Sequence, residues 1–127
     1  MSTANQAKHV LKKDKYSRVR KGKSCFLDIY CSACNAHIAL YQKDGPGSLI
    51  RLYLDRIREP KEISGLQLLV SGKDGMQTLH CLQCMAIIGI PMVFQAENRL
   101  AFRLVRGSFS KRLSDGTCAP NDNLLPS

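Results

Sequence analysis

The chain has 127 residues, of which 44% are hydrophobic and 23% charged, and its formal net charge is +9. That length is typical of one domain that can bury a core, and the composition excludes a wholly disordered chain. No apolar run approaches the roughly eighteen residues of a membrane-spanning helix, so we expect no transmembrane segment.

The first 24 residues hold most of the excess positive charge. They contain eight of the nineteen basic residues and a single acid, Asp14. Few large apolar side chains accompany this charge, so we predict a flexible basic arm over residues 1–24 that pairs with phosphate groups. The alternative is a solvated tail that only raises solubility. The predicted nucleic-acid contacts are Lys12, Lys13, Lys15, Arg18, Arg20, Lys21 and Lys23.

Short apolar runs, separated by glycine-containing turns, follow the basic arm. They predict strands at 26–30, 38–42, 48–57, 66–70, 77–80, 87–94 and 100–104. The run at 48–57 also has a stripe at helical spacing, and a short helix could form at 60–66. We therefore predict a mostly β domain over residues 25–112, followed by a polar, flexible tail at 113–127. In the last strand, Arg99, Arg103 and Arg106 are expected to face solvent and to offer further phosphate contacts.

Four of the six cysteines occur as two C-x2-C pairs, Cys31 with Cys34 and Cys81 with Cys84. Each pair can fill half of a tetrahedral zinc site, so two pairs on hairpin tips complete it. The sequence therefore predicts one structural zinc, although iron suits the same four thiolates. Free thiols or a redox dithiol are the alternative, but a redox C-x-x-C normally opens a helix, and neither pair is followed by one.

The two cysteine pairs lie in related stretches of sequence. Shifting the chain by fifty residues places residues 29–40 on residues 79–90, with identity at both cysteines, one alanine and one isoleucine. Either the chain contains a structural repeat or the two stretches have converged on the same turn. In both cases each half supplies an apolar strand, a C-x2-C turn and a second apolar strand.

Four cysteines leave no open position on the metal, which argues against a catalytic zinc. His37 and His80 are expected to flank the site and donate to cysteine sulfurs rather than to replace a ligand. Cys25 is expected to be a buried residue that packs in the core, and Cys118 is expected to be an exposed thiol without an activating base.

Widely spaced C-x2-C pairs in a mostly β chain resemble zinc ribbons and the zinc β-tent superfamily, which includes the methionine sulfoxide reductase B type. The resemblance covers about residues 25–106 and implies a structural zinc on Cys31, Cys34, Cys81 and Cys84. That reductase uses a later cysteine, preceded by Arg-Tyr, as its nucleophile. Here the only later cysteine, Cys118, follows Gly116-Thr117, so the catalytic motif is not matched.

These features predict a zinc-stabilised binding module rather than an enzyme. Its expected partner is nucleic acid or an acidic protein, contacted through the basic arm, and no membrane contact is expected. The alternatives are a small β-tent oxidoreductase that uses Cys118 and a structural accessory subunit. Cysteines at metal-ligand spacing suit a reducing compartment, and the first residues lack the apolar stretch of a secretory signal, so we expect a cytoplasmic protein.

Overall fold

The computed structural model describes residues 8–20, 22–66 and 72–116. Within these ranges the chain forms eight strands and two short α-helices, and the prediction of a mostly β chain is confirmed. None of the helices in this part is long and apolar enough to cross a bilayer. The strands are β1 (Ser24–Cys31), β2 (His37–Asp44), β3 (Arg51–Tyr53), β4 (Ile57–Glu59), β5 (Leu79–His80), β6 (Ile87–Phe94), β7 (Arg99–Leu104) and β8 (Phe109–Ser114); the helices are α1 (Lys15–Val19) and α2 (Lys61–Ser64).

The strands form two four-stranded antiparallel sheets. The first sheet has the order β4-β2-β1-β8 and the second has the order β3-β7-β6-β5. Three strands of the first sheet come from the first half of the chain, and β8 comes from the second half. In the second sheet β3 is the strand contributed by the first half. Each sheet is therefore completed by a strand from the other half.

A single apolar cluster forms the core and includes residues of both sheets, among them Ile29, Leu52, Ile88 and Phe102. Gly89 of β6 lies against this cluster, because a Cβ at this position would be 2.9 Å from the Cβ of Phe102. Cys31 and Cys81 belong to the same cluster and are fully buried. The predicted metal ligands therefore lie at one end of the core.

The strand predicted at 48–57 is broken in the structure. β3 ends at Tyr53, a single 3-10 turn occupies Leu54–Arg56, and β4 starts at Ile57. The break lets the chain leave the second sheet and enter the first. The turn is stable there because it buries Leu54 in the core, while the Arg56 side chain is held by carboxylates.

Two further predictions have different outcomes, and one strand was not predicted. α2 lies within the stretch where a short helix was predicted. Leu66, the first residue of the strand predicted at 66–70, is helical, and residues 67–70 lie outside the described residues. β8 was not predicted, because its exposed residues Ser110, Lys111 and Arg112 give it no apolar alternation.

Residues 8–20 contact both sheets, whereas the sequence analysis predicted a flexible arm over residues 1–24. The backbone of Lys12 exchanges two hydrogen bonds with the side chain of Gln42, which is fully buried, at 2.7 and 2.9 Å. Asp14 caps α1 by accepting from the amides of Tyr16 and Ser17. Residues 1–7 of the predicted arm lie outside the described part.

Candidate metal centre

Each C-x2-C pair sits on a tight turn, here called a knuckle, with the same backbone hydrogen bonds. In the first knuckle the Cys31 amide donates to the Ala36 carbonyl at 2.8 Å, and the Asn35 amide donates to the Cys31 carbonyl at 2.7 Å. In the second knuckle the Cys81 amide donates to the Ala86 carbonyl at 2.8 Å, and the Met85 amide donates to the Cys81 carbonyl, also at 2.8 Å. The matched positions are fifty residues apart throughout.

The likeness between the halves extends past the knuckles. Asn35 and Met85 both have a φ of 67°, in the left-handed region. The next strands, β2 and β6, begin two residues later and both have eight residues. A repeat of the knuckle and its outgoing strand explains these matches better than a shared turn alone. The incoming strands differ, since β1 has eight residues and β5 has two.

The two knuckles bring their four cysteine sulfurs together. All four Sγ atoms lie within 4.8 Å of one another, and the separations between knuckles include 3.6 Å for Cys31 and Cys84 and 3.5 Å for Cys34 and Cys81. Zinc bonded tetrahedrally at about 2.3 Å would place its sulfurs about 3.8 Å apart. A disulfide would need about 2.05 Å. The arrangement therefore fits a metal with four sulfur ligands.

The electrostatics of the sulfurs also favour a cation. Burial opposes ionisation of Cys31, but the amides of Cys34 and Ala33 donate to its sulfur, and the pKa falls to about 7. The Ala36 amide lowers the pKa of Cys34, but hydrogen bonding to the neighbouring cysteine thiols, Cys81 foremost, and burial together outweigh it and raise this pKa to about 12. Neighbouring sulfurs thus compete to carry charge, and a divalent cation would stabilise all four as thiolates.

The histidines near the cysteines have other partners. His37 Nε2 lies 2.8 Å from Asp28 Oδ1, and its ring meets the edge of the Tyr30 ring. His80 Nδ1 donates to the carbonyl of Thr78 at 3.1 Å. The expectation that these imidazoles donate to cysteine sulfurs is corrected, because His37 contacts a carboxylate of β1 and His80 a carbonyl just before β5. Within the described residues the metal-binding cluster consists of the four cysteines.

The predicted nucleic-acid contacts fall into two groups. Lys12 Nζ donates to the Asp55 carbonyl at 2.9 Å. Arg20 forms a bidentate ion pair with Glu97, in which both hydrogen bonds measure 2.9 Å. These two side chains are engaged with the domain itself. Lys21 lies outside the described residues. The other described members, Lys13, Lys15, Arg18 and Lys23, are exposed, as is the backbone-bonded Lys12.

The prediction that Arg99 faces solvent is wrong, since only 5% of this residue is exposed. Its guanidinium carbon lies 3.9 Å from the ring centre of Tyr16 and 3.8 Å from that of Tyr53. Asp55 and Glu97 accept hydrogen bonds from its two terminal nitrogens. α1 covers this position, and sequence alternation along β7 did not reveal that cover. Arg103 and Arg106 are exposed, as predicted.

The remaining cysteines do not extend the site. Cys25 lies on β1, partly buried against the core, which agrees with its predicted packing role. Cys118 lies outside the described residues. An exposed feature was not singled out from the sequence: the second knuckle carries Leu82 and Met85 where the first carries Ser32 and Asn35. The fifty-residue shift already aligned these positions and could have shown the contrast.

The cysteine cluster is the feature from which function can be argued. No family model, no curated protein and no solved structure matches the chain. The resemblance to zinc ribbons and β-tent domains therefore stays a prediction from the spacing of the four cysteines.

Proposed function

We propose that the chain is a zinc-stabilised binding module whose metal site is structural. The observation that carries this proposal is the closed set of four sulfurs within 4.8 Å of one another. Four protein ligands satisfy tetrahedral zinc and leave no position for a substrate or an activated water. Zinc is favoured over iron because it is the usual metal of closed four-cysteine sites with a purely structural role.

The position of the cluster explains what the metal contributes. Cys31 ends β1 in the first sheet, and Cys81 directly follows β5 in the second. Zinc held by Cys31, Cys34, Cys81 and Cys84 would tie the two sheets together at one end of the core. Structural zinc binding can supply about 10–16 kcal/mol, which is comparable with the whole stability of a small domain.

The proposed partner is the phosphate backbone of a nucleic acid. Lys13, Lys15, Arg18 and Lys23 are exposed, and none forms an ion pair with a described residue. The contacts of residues 8–20 hold three of these cations on the domain surface, where they could meet successive phosphates. Because phosphates carry no base identity, the expected binding discriminates little between sequences.

Binding measurements at several salt concentrations test this proposal. A short DNA duplex is titrated with the wild type, with Lys13→Ala/Arg18→Ala, and with the matched control Lys61→Ala/Lys73→Ala, whose lysines are exposed elsewhere. If both side chains contact phosphate, the slope of log affinity against log salt falls in magnitude by about 1.8 for the first variant only. Equal slopes for all three proteins, or no binding by the wild type, would refute the nucleic-acid proposal. Metal analysis of the same samples tests the zinc site separately.

A further inference from the structure

The second knuckle and its surroundings carry an unusual number of exposed apolar side chains. We infer that they form a docking site for a protein segment that is both apolar and acidic. This inference is independent of the nucleic-acid contact proposed for residues 8–23. The proposed docking face is made of the exposed apolar residues of this part of the chain, which are Leu82, Met85, Ile87, Ile90 and Val105.

The knuckle fold does not require these side chains. Leu82 is 87% exposed and Met85 63% exposed, so neither contributes much to the core. The first knuckle has the same backbone hydrogen bonds with Ser32 and Asn35 at the matched positions. Two turns of one geometry therefore differ in what they present to solvent, and only the second presents apolar groups.

Met85 is unfavourable for folding in two respects. Its φ of 67° lies in the left-handed region, which asparagine tolerates and which most other side chains avoid. Its long apolar side chain is also exposed to water. Asn35, at the matched position, avoids both costs. A residue that breaks local rules at an exposed position points to function, and the flexible methionine side chain suits an adaptable contact.

The exposed apolar residues outside the knuckle lie on backbone that follows it directly or pairs with it through β6. Val105 follows β7, and its amide donates to the Ile88 carbonyl of β6 at 2.9 Å. Ile90 of β6 pairs in register with Arg103 of β7, so these two side chains share a face of the sheet. The exposed apolar residues are thus carried by neighbouring pieces of backbone and not by distant loops.

The charge beside the docking face defines the partner. Arg103 and Arg106 are exposed, and neither forms an ion pair within the described part of the chain. Residues 99–114 contain no acid. Carboxylates on the partner would pair these arginines while its apolar side chains cover Leu82 and Met85. A second copy of the chain would bring arginines toward arginines, and nucleic acid offers little for aliphatic side chains to bury against.

The two knuckles supply matched variants for a test. Leu82→Ser/Met85→Asn copies the first knuckle onto the second and removes two apolar groups from the face. Because asparagine suits a positive φ, this variant should bind its metal and melt at or above the wild-type temperature. Asn35→Gly, which preserves the turn of the first knuckle, is the control. Arg103→Ala/Arg106→Ala removes the cations alone.

The probe is a phage-displayed library of random short peptides, selected against the full chain and followed by synthesis of an enriched peptide. We expect enriched peptides to combine acidic with apolar residues. Leu82→Ser/Met85→Asn should weaken binding of the synthetic peptide about tenfold or more, and Arg103→Ala/Arg106→Ala several-fold, with Asn35→Gly unchanged. Absence of enrichment, or equal affinity for wild type and Leu82→Ser/Met85→Asn, would overturn the inference. So would a wild-type dimer that this variant converts to a monomer, or nucleic-acid binding that this variant abolishes.

Discussion

Asp14 and Arg56 are 42 residues apart in the chain and form a bidentate ion pair. Arg56 Nη1 donates to Asp14 Oδ2 at 3.0 Å, and Nη2 donates to Oδ1 at 2.6 Å. Arg56 Nε donates to Asp44 Oδ2 at 2.7 Å. The arginine side chain is only 1% exposed, so its charge is satisfied by one carboxylate from each side. The pair fastens the amino-terminal segment to the domain.

The first prediction concerns the ion pair between Asp14 and Arg56. Arg56→Ala leaves the buried carboxylate of Asp44 without its cation, so the free energy of unfolding should fall by about 3–5 kcal/mol. Asp14→Asn keeps the shape but removes the charge opposite Arg56, and about 1–3 kcal/mol should be lost. Chemical denaturation measures both, with exposed Asp74→Asn as the control. Deleting residues 1–20 should also lower the midpoint of denaturation, because the deletion removes the same ion pair. An unchanged midpoint would show that this segment does not stabilise the domain.

The second prediction concerns acid. Hydrogen bonding to Arg56 holds the pKa of Asp14 well below its ordinary value of 3.8. Burial works against ionisation of Asp44, but Ser24, Gln42 and Arg56 donate to its carboxylate and lower its pKa as well. A depressed folded-state pKa contributes stability above the unfolded value, which is lost as the pH falls toward the folded value.

Unfolding free energies measured from neutral pH down to roughly pH 3 should therefore decrease steeply at the acid end. Asp14→Asn should flatten this decrease, because one linked carboxylate is gone. Parallel curves for wild type and Asp14→Asn would mean that Asp14 has the same pKa in the folded and unfolded chains.

The third prediction concerns the metal. We expect one zinc per chain, and Cys34→Ser should unfold the core because the loss of a ligand removes much of the roughly 10 kcal/mol that such a site can supply. Cys25→Ser, which changes a cysteine outside the cluster, should retain both zinc and fold. Elemental analysis and circular dichroism measure the two effects. A folded wild-type protein from which a strong chelator has removed all metal would contradict this expectation.

The fourth prediction concerns the left-handed residue of the first knuckle. Asn35 has a φ of 67°, so Asn35→Ala should cost about 1–2 kcal/mol, whereas Asn35→Gly should be nearly neutral. Thermal denaturation of the two variants in saturating zinc compares them directly. If alanine and glycine have equal effects, the turn does not require the left-handed conformation.

The local pattern of the sequence predicted the parts of the fold that local chemistry determines. The spacing of Cys31, Cys34, Cys81 and Cys84 indicated a shared site, and the structure brings their sulfurs together. The apolar run at 87–94 predicted a strand with the bounds of β6. In both cases the signal lies within short stretches, the C-x2-C spacing inside each pair and the apolar run inside one strand.

Long-range pairing of charged residues could not be predicted in the same way. Arg99 alternates with apolar residues on β7 as an exposed arginine would, yet Tyr16 from α1 covers it. Arg56 is buried because Asp14 and Asp44 are within reach. A charge is buried only when its partners converge, and their convergence depends on the tertiary fold. The basic composition of the first 24 residues therefore indicated a free arm, although Asp14, its one acid, is among the residues that bind it to the domain.

The exchange of β3 and β8 between the sheets makes the two halves of the chain mutually dependent. A fragment that ends after β4 would lack β8 at one edge of its sheet, and the complementary fragment would lack β3 and expose the edge of β7. Neither piece could then close the shared core or gather four sulfurs by itself. Despite their similar knuckles, the two halves are therefore parts of one cooperative domain and not two small domains in tandem. Separated fragments should fold only when both are present.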